Sequence, residues 1–182
     1  QIYTDLTEAD FVNNKIEYTQ WLATQRLIAH RGYRTQKEQE NTLSALVEGL
    51  QMYGCIETDL YMTQDGIVTL THNATIDGLE VTSYKYDTLK QKSIDNNIHD
   101  LYPSLSELLR STQTLIDDPS YSLSPLLILE IKGIAPTCAA TVVTMICDLQ
   151  LQDYVIVTSF DQQNLDFPLK NNIRIGLLYE TN

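Results

Sequence analysis

Short apolar runs alternate with helical periodicities along most of this chain, and that alternation limits its fold more than any other feature. Strand-like runs fall at Leu27-Ile28-Ala29, Cys55–Met62, Ile67–Thr71, Leu126–Ile131, Tyr154–Ser159 and Ile173–Leu178. Between them, Leu43, Leu46, Val47 and Leu50 recur at i, i+3, i+4 and i+7, which predicts a helix over Thr42–Tyr53 with Gly54 as its C-terminal cap. Pro103-Ser104-Leu105 opens another helix and Cys138–Leu149 forms a third. A lead-in helix is expected over residues 7–24, with Thr7 as cap and Phe11, Ile16, Trp21 and Leu22 on its apolar positions. Residues 73–101 are polar and irregular and read as an insertion or long loop. Strands that alternate with helices make an α/β protein with a mainly parallel sheet. The chain divides into a lead-in segment, 1–25, and one larger domain, 26–182.

At 182 residues with 43% hydrophobic content, the chain suits one domain with a sizeable core. Its formal net charge of −12 argues against nucleic acid or an anionic membrane surface as a broad partner, because the mean field repels both. A small phosphate ligand stays compatible, since a local site can be positive on an acidic protein. No apolar run is long enough to span a bilayer. Asp5, Glu8, Asp10 and Lys15 stand where a signal peptide needs an apolar stretch, so none is expected in the chain. It starts at Gln1, so anything upstream, a membrane domain included, is unreadable. The odd cysteine count (Cys55, Cys138, Cys147) lacks metal-like spacing and favours a reducing, cytoplasmic compartment over the cell envelope.

Charged residues cluster at strand ends. His30 and Arg31 close the first strand, and His72 closes the third. Glu57 and Asp59 lie two apart in the second strand, and Glu130 and Lys132 two apart at the fourth, so each pair points to one face. In a parallel barrel the carboxyl ends of the strands surround a common mouth. Three carboxylates facing one cavity repel one another unless a cation lies between them. All-oxygen ligands suit a hard cation, Mg²⁺ or Ca²⁺. With that ion, Arg31 and Lys132, the site carries one positive charge, which a phosphodiester anion neutralises.

The ordered set His30-Arg31-Gly32, Glu40-Asn41-Thr42, Glu57-x-Asp59, Thr63-x-Asp65-Gly66, His72 and Glu130-x-Lys132 resembles the glycerophosphodiester phosphodiesterase family. Pro103-Ser104-Leu105 and Ser159-Phe160-Asp161 add to the likeness, which runs from about residue 27 to 179. The resemblance implies a TIM-type (β/α)₈ barrel that hydrolyses glycerophosphodiesters to glycerol 3-phosphate and an alcohol. It implies metal ligands at Glu57, Asp59 and Glu130, a general acid–base pair at His30 and His72, and phosphate contacts from Arg31 and Lys132. Which histidine is the acid and which the base stays open. Three positions depart from the family pattern: Asn73 stands where an Asp commonly follows the histidine, Gln39 precedes Glu40 where many members have Pro, and the sixth strand is the last.

Two other readings remain open: a phospholipase D-like lipid phosphodiesterase on a similar barrel, and an inactive phosphodiester-binding domain. Thr63-x-Asp65-Gly66 reads as a plain hairpin turn, and His99 as a surface residue. A barrel lacking its final strands leaves its outer strands without partners, at Leu27 and Ile28 on one side and Ile173, Ile175 and Leu177 on the other. Self-association through those edges is therefore expected.

Overall fold

A computed structural model describes residues 2–3, 27–33, 39–76, 78–95 and 102–179. The lead-in helix expected over 7–24 and the surface position of His99 lie outside these residues. The strands are β1 (Ile2–Tyr3), β2 (Ala29–His30), β3 (Cys55–Met62), β4 (Val68–Leu70), β5 (Thr75–Ile76), β6 (Leu79–Glu80), β7 (Leu126–Ile131), β8 (Val155–Ser159) and β9 (Arg174–Leu178). The helices are α1 (Leu43–Tyr53), α2 (Tyr86–Asp95), α3 (Leu105–Asp117), α4 (Pro136–Asp148) and α5 (Asp166–Lys170). None of the described helices is long and apolar enough to cross a membrane.

The main sheet runs β1-β9-β8-β7-β3-β2, with β4 added to β3. Five of its strands, β2, β3, β7, β8 and β9, are parallel, and helices α1, α3 and α4 cover one face. This is the arrangement of βα units in a TIM-type barrel, here incomplete. Central parallel strands are buried on both faces, so they read as continuous apolar runs; all six residues of β7 are buried.

The two faces of the sheet hold different layers. Ile56, Leu60, Leu127, Leu129, Val155 and Val157 point outward and meet Leu46, Leu50, Leu108, Val142 and Ile146 of the helices. On the inward face, Cys55, Leu126, Ile128 and Ile156 form a small apolar layer. Further along the same face stand Glu57, Asp59, Glu130 and Thr158. The period of two in each strand thus stacks an apolar floor beneath a polar mouth.

Local chemistry sets the element ends. Thr42 caps α1 by accepting from the Ala45 N–H, and Gly54 ends it at φ 71°, its N–H donating to Leu50. Ser104 and Glu107 form a reciprocal capping box at the start of α3. The turn expected at Gln64-Asp65-Gly66 joins β3 to β4, with Gly66 at φ 83° and the Thr63 N–H donating to Ile67.

Two expectations change. The strand that leads to His72 is not parallel: β4 is an antiparallel return from β3, with Leu70 opposite Leu60. The Asp-Gly turn is too short for a crossover, so only a hairpin can form. Residues 73–101 are not simply a long loop either. They contain the hairpin β5–β6 and helix α2, which bury Ile76, Val81 and Leu89 in a satellite cluster. At the edges, Ile2 and Tyr3 pair antiparallel with Leu178 and Leu177, so β9 is partnered there. Among the described strands, β2 alone ends the sheet on its side.

Gly32 is required where the β2 strand turns into α1. It holds φ 91°, and a Cβ there would lie 2.7 Å from the Ala45 carbonyl carbon and 2.8 Å from the Leu46 nitrogen. The neighbouring Tyr33 N–H donates to the Ala45 carbonyl at 2.8 Å, so the segment cannot back away. Gly32→Ala should therefore cost about 2 kcal/mol or more from backbone strain and overlap, read as a lower urea midpoint at unchanged slope.

Candidate active site

Register brings the charged residues together. In the parallel ladders His30 lies opposite Glu57, and Asp59 lies opposite Glu130. Glu57, Asp59 and Glu130 each offer a carboxylate oxygen within 4.8 Å of the others. The Lys132 Nζ lies 2.8 Å from Asp59 and 2.6 Å from Glu130. Arg31 reaches the same Asp59 at 3.3 Å through Nε and pairs with Glu40 at 3.0 Å through Nη1. The His30 Nε2 stands 3.6 Å from Glu57, beyond hydrogen-bond range.

Asp59 is the hub, with 1% of its side chain exposed. Besides the two cations it accepts a hydrogen bond from the Asn41 amide at 3.1 Å, and Asn41 in turn accepts from Thr58 at 2.8 Å. Asn41 takes a left-handed backbone, φ 57°, which Asn tolerates better than most residues, and its N–H donates to the Arg31 carbonyl at 2.9 Å. One side chain therefore ties the Arg31 loop to the strand that carries the carboxylates.

The antiparallel β4 returns the chain to the mouth. The Thr71 N–H donates to the Asp59 carbonyl at 3.0 Å, which sets His72 beside the cluster. The imidazole Nδ1 lies 3.2 Å from the Asn73 side-chain oxygen. His72 lines a cavity of about 150 Å³ with Glu40, Asn41, Asn73 and Tyr102. All seven residues singled out from the sequence thus lie at or next to one mouth.

The chain matches the profile of the glycerophosphoryl diester phosphodiesterase family over residues 30–125, more than half its length. It belongs to that family. Among solved structures it resembles a glycerophosphodiester phosphodiesterase from Parabacteroides distasonis at TM-score 0.68 and 23% identity, over 81% of this chain and 62% of that one. It also resembles a glycerophosphodiester phosphodiesterase from Thermotoga maritima at TM-score 0.64 and 23% identity, over 84% and 61% of the two chains. A third is an Oleispira antarctica phosphodiesterase in complex with the product sn-glycerol-3-phosphate, at TM-score 0.63 and 23% identity, over 79% and 60%. The chain thus spans about three fifths of the length of these structures. No curated protein matches it.

Within this family member, the electrostatics of the mouth test whether a cation belongs there. The Glu57 Oε2 is buried and accepts no hydrogen bond. Burial, with the charges of Asp59 and Glu130, pushes the Glu57 carboxyl up to about 7 from its ordinary 4.5, against smaller opposing effects of Lys132 and an Arg31 N–H. Burial alone would lower the Lys132 ammonium, but hydrogen bonds to Asp59 and Glu130 and their charges hold it above its ordinary value. Two cations therefore do not satisfy three carboxylates, and the set suits a hard divalent ion. Elsewhere, burial pushes the Cys55 and Cys138 thiols up to about 12, which keeps them protonated core residues.

Sequence reasoning missed three neighbours. Asn41 and Glu40 stood in a noted motif without a role; their contacts reach Asp59 and Arg31 across the fold. Tyr61 shares a strand face with Glu57 and Asp59, so the period of two could have flagged it. Of the tyrosines between 84 and 121, Tyr102 lines the cavity. The Tyr86 and Tyr121 hydroxyls donate to the backbone carbonyls of Tyr102 and Leu50.

The raised Glu57 value has a consequence for stability. Between 4.5 and about 7 the folded chain holds a proton that the unfolded chain releases, so stability falls as pH rises through that window. The loss is at most about 3 kcal/mol. Thermal unfolding of metal-free protein should show the fall, while Glu57→Gln or saturating divalent cation should flatten it. An equal slope in Glu57→Gln would place the cause elsewhere.

Proposed function

We propose that the chain carries the catalytic half of a metal-dependent glycerophosphodiester phosphodiesterase, which releases sn-glycerol 3-phosphate and an alcohol. The observation that carries this reading is the trio Glu57, Asp59 and Glu130 with Arg31 and Lys132 at one mouth, flanked by two histidines. The family membership and the product named for the Oleispira structure support it.

Glu57, Asp59 and Glu130 would hold one divalent ion, Mg²⁺ or Ca²⁺. When bound, it supplies Lewis-acid stabilisation of charge on the phosphoryl oxygens. Arg31 and Lys132 add donors to those oxygens, and Arg31 is held in place by Glu40 as well as Asp59. His30 and His72 exchange protons with the attacking and leaving oxygens. The Asn73 oxygen accepts from the Nδ1–H of His72 without adding charge, which leaves Nε2 facing the reaction. The cavity beside His72 takes one substituent of the phosphodiester.

Release of glycerol 3-phosphate from a panel of glycerophosphodiesters, with and without metal, is the direct test. Turnover should vanish in chelator and return with Mg²⁺ or Ca²⁺. His30→Ala and His72→Ala should each lower it by roughly 10²–10⁴-fold, the range for a positioned acid or base. Hydrolysis of sphingomyelin or lysolipid in preference to glycerophosphocholine would assign the lipid phosphodiesterase class instead. Full activity after exhaustive chelation would exclude the metal.

A further inference from the structure

The Lys132 ammonium, set against Asp59 and Glu130, sits on a segment with unusual support. Lys132 is the first residue beyond β7, whose ladder with β8 stops at Glu130 opposite Thr158. On the β3 side the Lys132 N–H still donates to the Leu60 carbonyl at 3.1 Å. On the β8 side two side chains replace the ladder. The Ser159 hydroxyl donates to the Ile131 carbonyl at 2.8 Å, and the Asn164 amide donates to the Gly133 carbonyl at 2.6 Å. The Asn164 oxygen accepts the Ala135 N–H at 2.8 Å, and its nitrogen also donates to the Ser159 oxygen at 2.9 Å.

We infer that Ser159 and Asn164 are positioning residues for Lys132: they clamp the peptide carbonyls on either side of it and so hold its ammonium at the mouth, against Asp59 and Glu130. This rests on the reading of Lys132 given above. Both clamping residues are fully buried, at 0% exposure. A buried amide is costly unless every donor and acceptor is used, and Asn164 spends both N–H groups and its oxygen on this segment and its partner serine. Little else restrains the turn. Gly133 is left-handed at φ 64° with no atom within 4 Å of where a Cβ would be, and α4 has Ala135 as its N-cap, which offers no side-chain hydrogen bond. Ser159, Asn164 and the segment they hold come from successive βα units, so the clamp transmits the position of β8 to the mouth.

A merely structural pair would lower stability without moving Lys132, and that difference is measurable in the full chain. With ¹³C-labelled lysine, the Lys132 resonance is identified by its loss in Lys132→Arg. Asn164→Ala should shift it towards the exposed lysines and weaken glycerol 3-phosphate binding by roughly tenfold, as for one lost hydrogen bond at a charged site. Ser159→Ala should move both readouts in the same direction by less, and it carries the test if Asn164→Ala does not fold. Thr112→Val, which removes a buried hydroxyl bonded to Leu108 within α3, serves as the destabilised control and should leave the Lys132 resonance in place. A folded Asn164→Ala or Ser159→Ala protein with wild-type Lys132 resonance and unchanged binding overturns the inference. If the unaltered chain does not bind glycerol 3-phosphate, the phosphate reading fails, while the resonance still decides whether the clamp holds Lys132.

Discussion

Asp59 and Glu130 face each other across a parallel ladder with the Lys132 ammonium against both, and the architecture of the mouth depends on that contact. Two carboxylates at this separation inside a protein repel strongly, and Glu57 makes a third. Such a set persists only where the scaffold over-determines it. Asp59 is accordingly bound from three directions, by Asn41, Arg31 and Lys132. Arg31 and Asn41 come from the connection that follows β2 and Lys132 from the end of β7, so the charge cluster also fixes how β2, β3 and β7 end relative to one another.

The cost of concentrating charge is met one layer below. Cys55, Leu126, Ile128 and Ile156 seal the inward face beneath the carboxylates, and the helices bury the outward face over the same strands. An apolar floor lowers the local dielectric, which raises the Glu57 carboxyl and strengthens every ionic contact at the mouth. Stability and reactivity thus use the same strands with opposite faces and alternate residues.

Much of this was legible because single elements carry their own signals. Leu126–Ile131 read as a buried strand, and the leucine spacing with Gly54 bounded α1 to within a residue. Glu57 and Asp59 sharing a face follows from strand geometry alone. The hairpin turn at Asp65-Gly66 already implied an antiparallel β4, but an apolar run has no polarity of its own, and His72 was grouped with the ends of parallel strands. Helix α2 was missed because its polar composition gives little periodicity, and it is held by Leu89 against Ile76 and Val81 instead.

The sequence by itself determined the alternation of strands and helices, the chemical identity of the mouth residues and the pairs that share a strand face, because these depend on covalent order and local geometry. Tertiary structure alone decided which residues meet. The register of β3 on β7 puts Glu130 beside Asp59, the hairpin delivers His72 to the same level, and a left-handed Asn41 crosses from the Arg31 loop to Asp59. Ser159 and Asn164 closing around the Lys132 peptide belong to the same class. Such contacts join residues far apart in the chain, and no local pattern encodes a partner that only the folded sheet brings near.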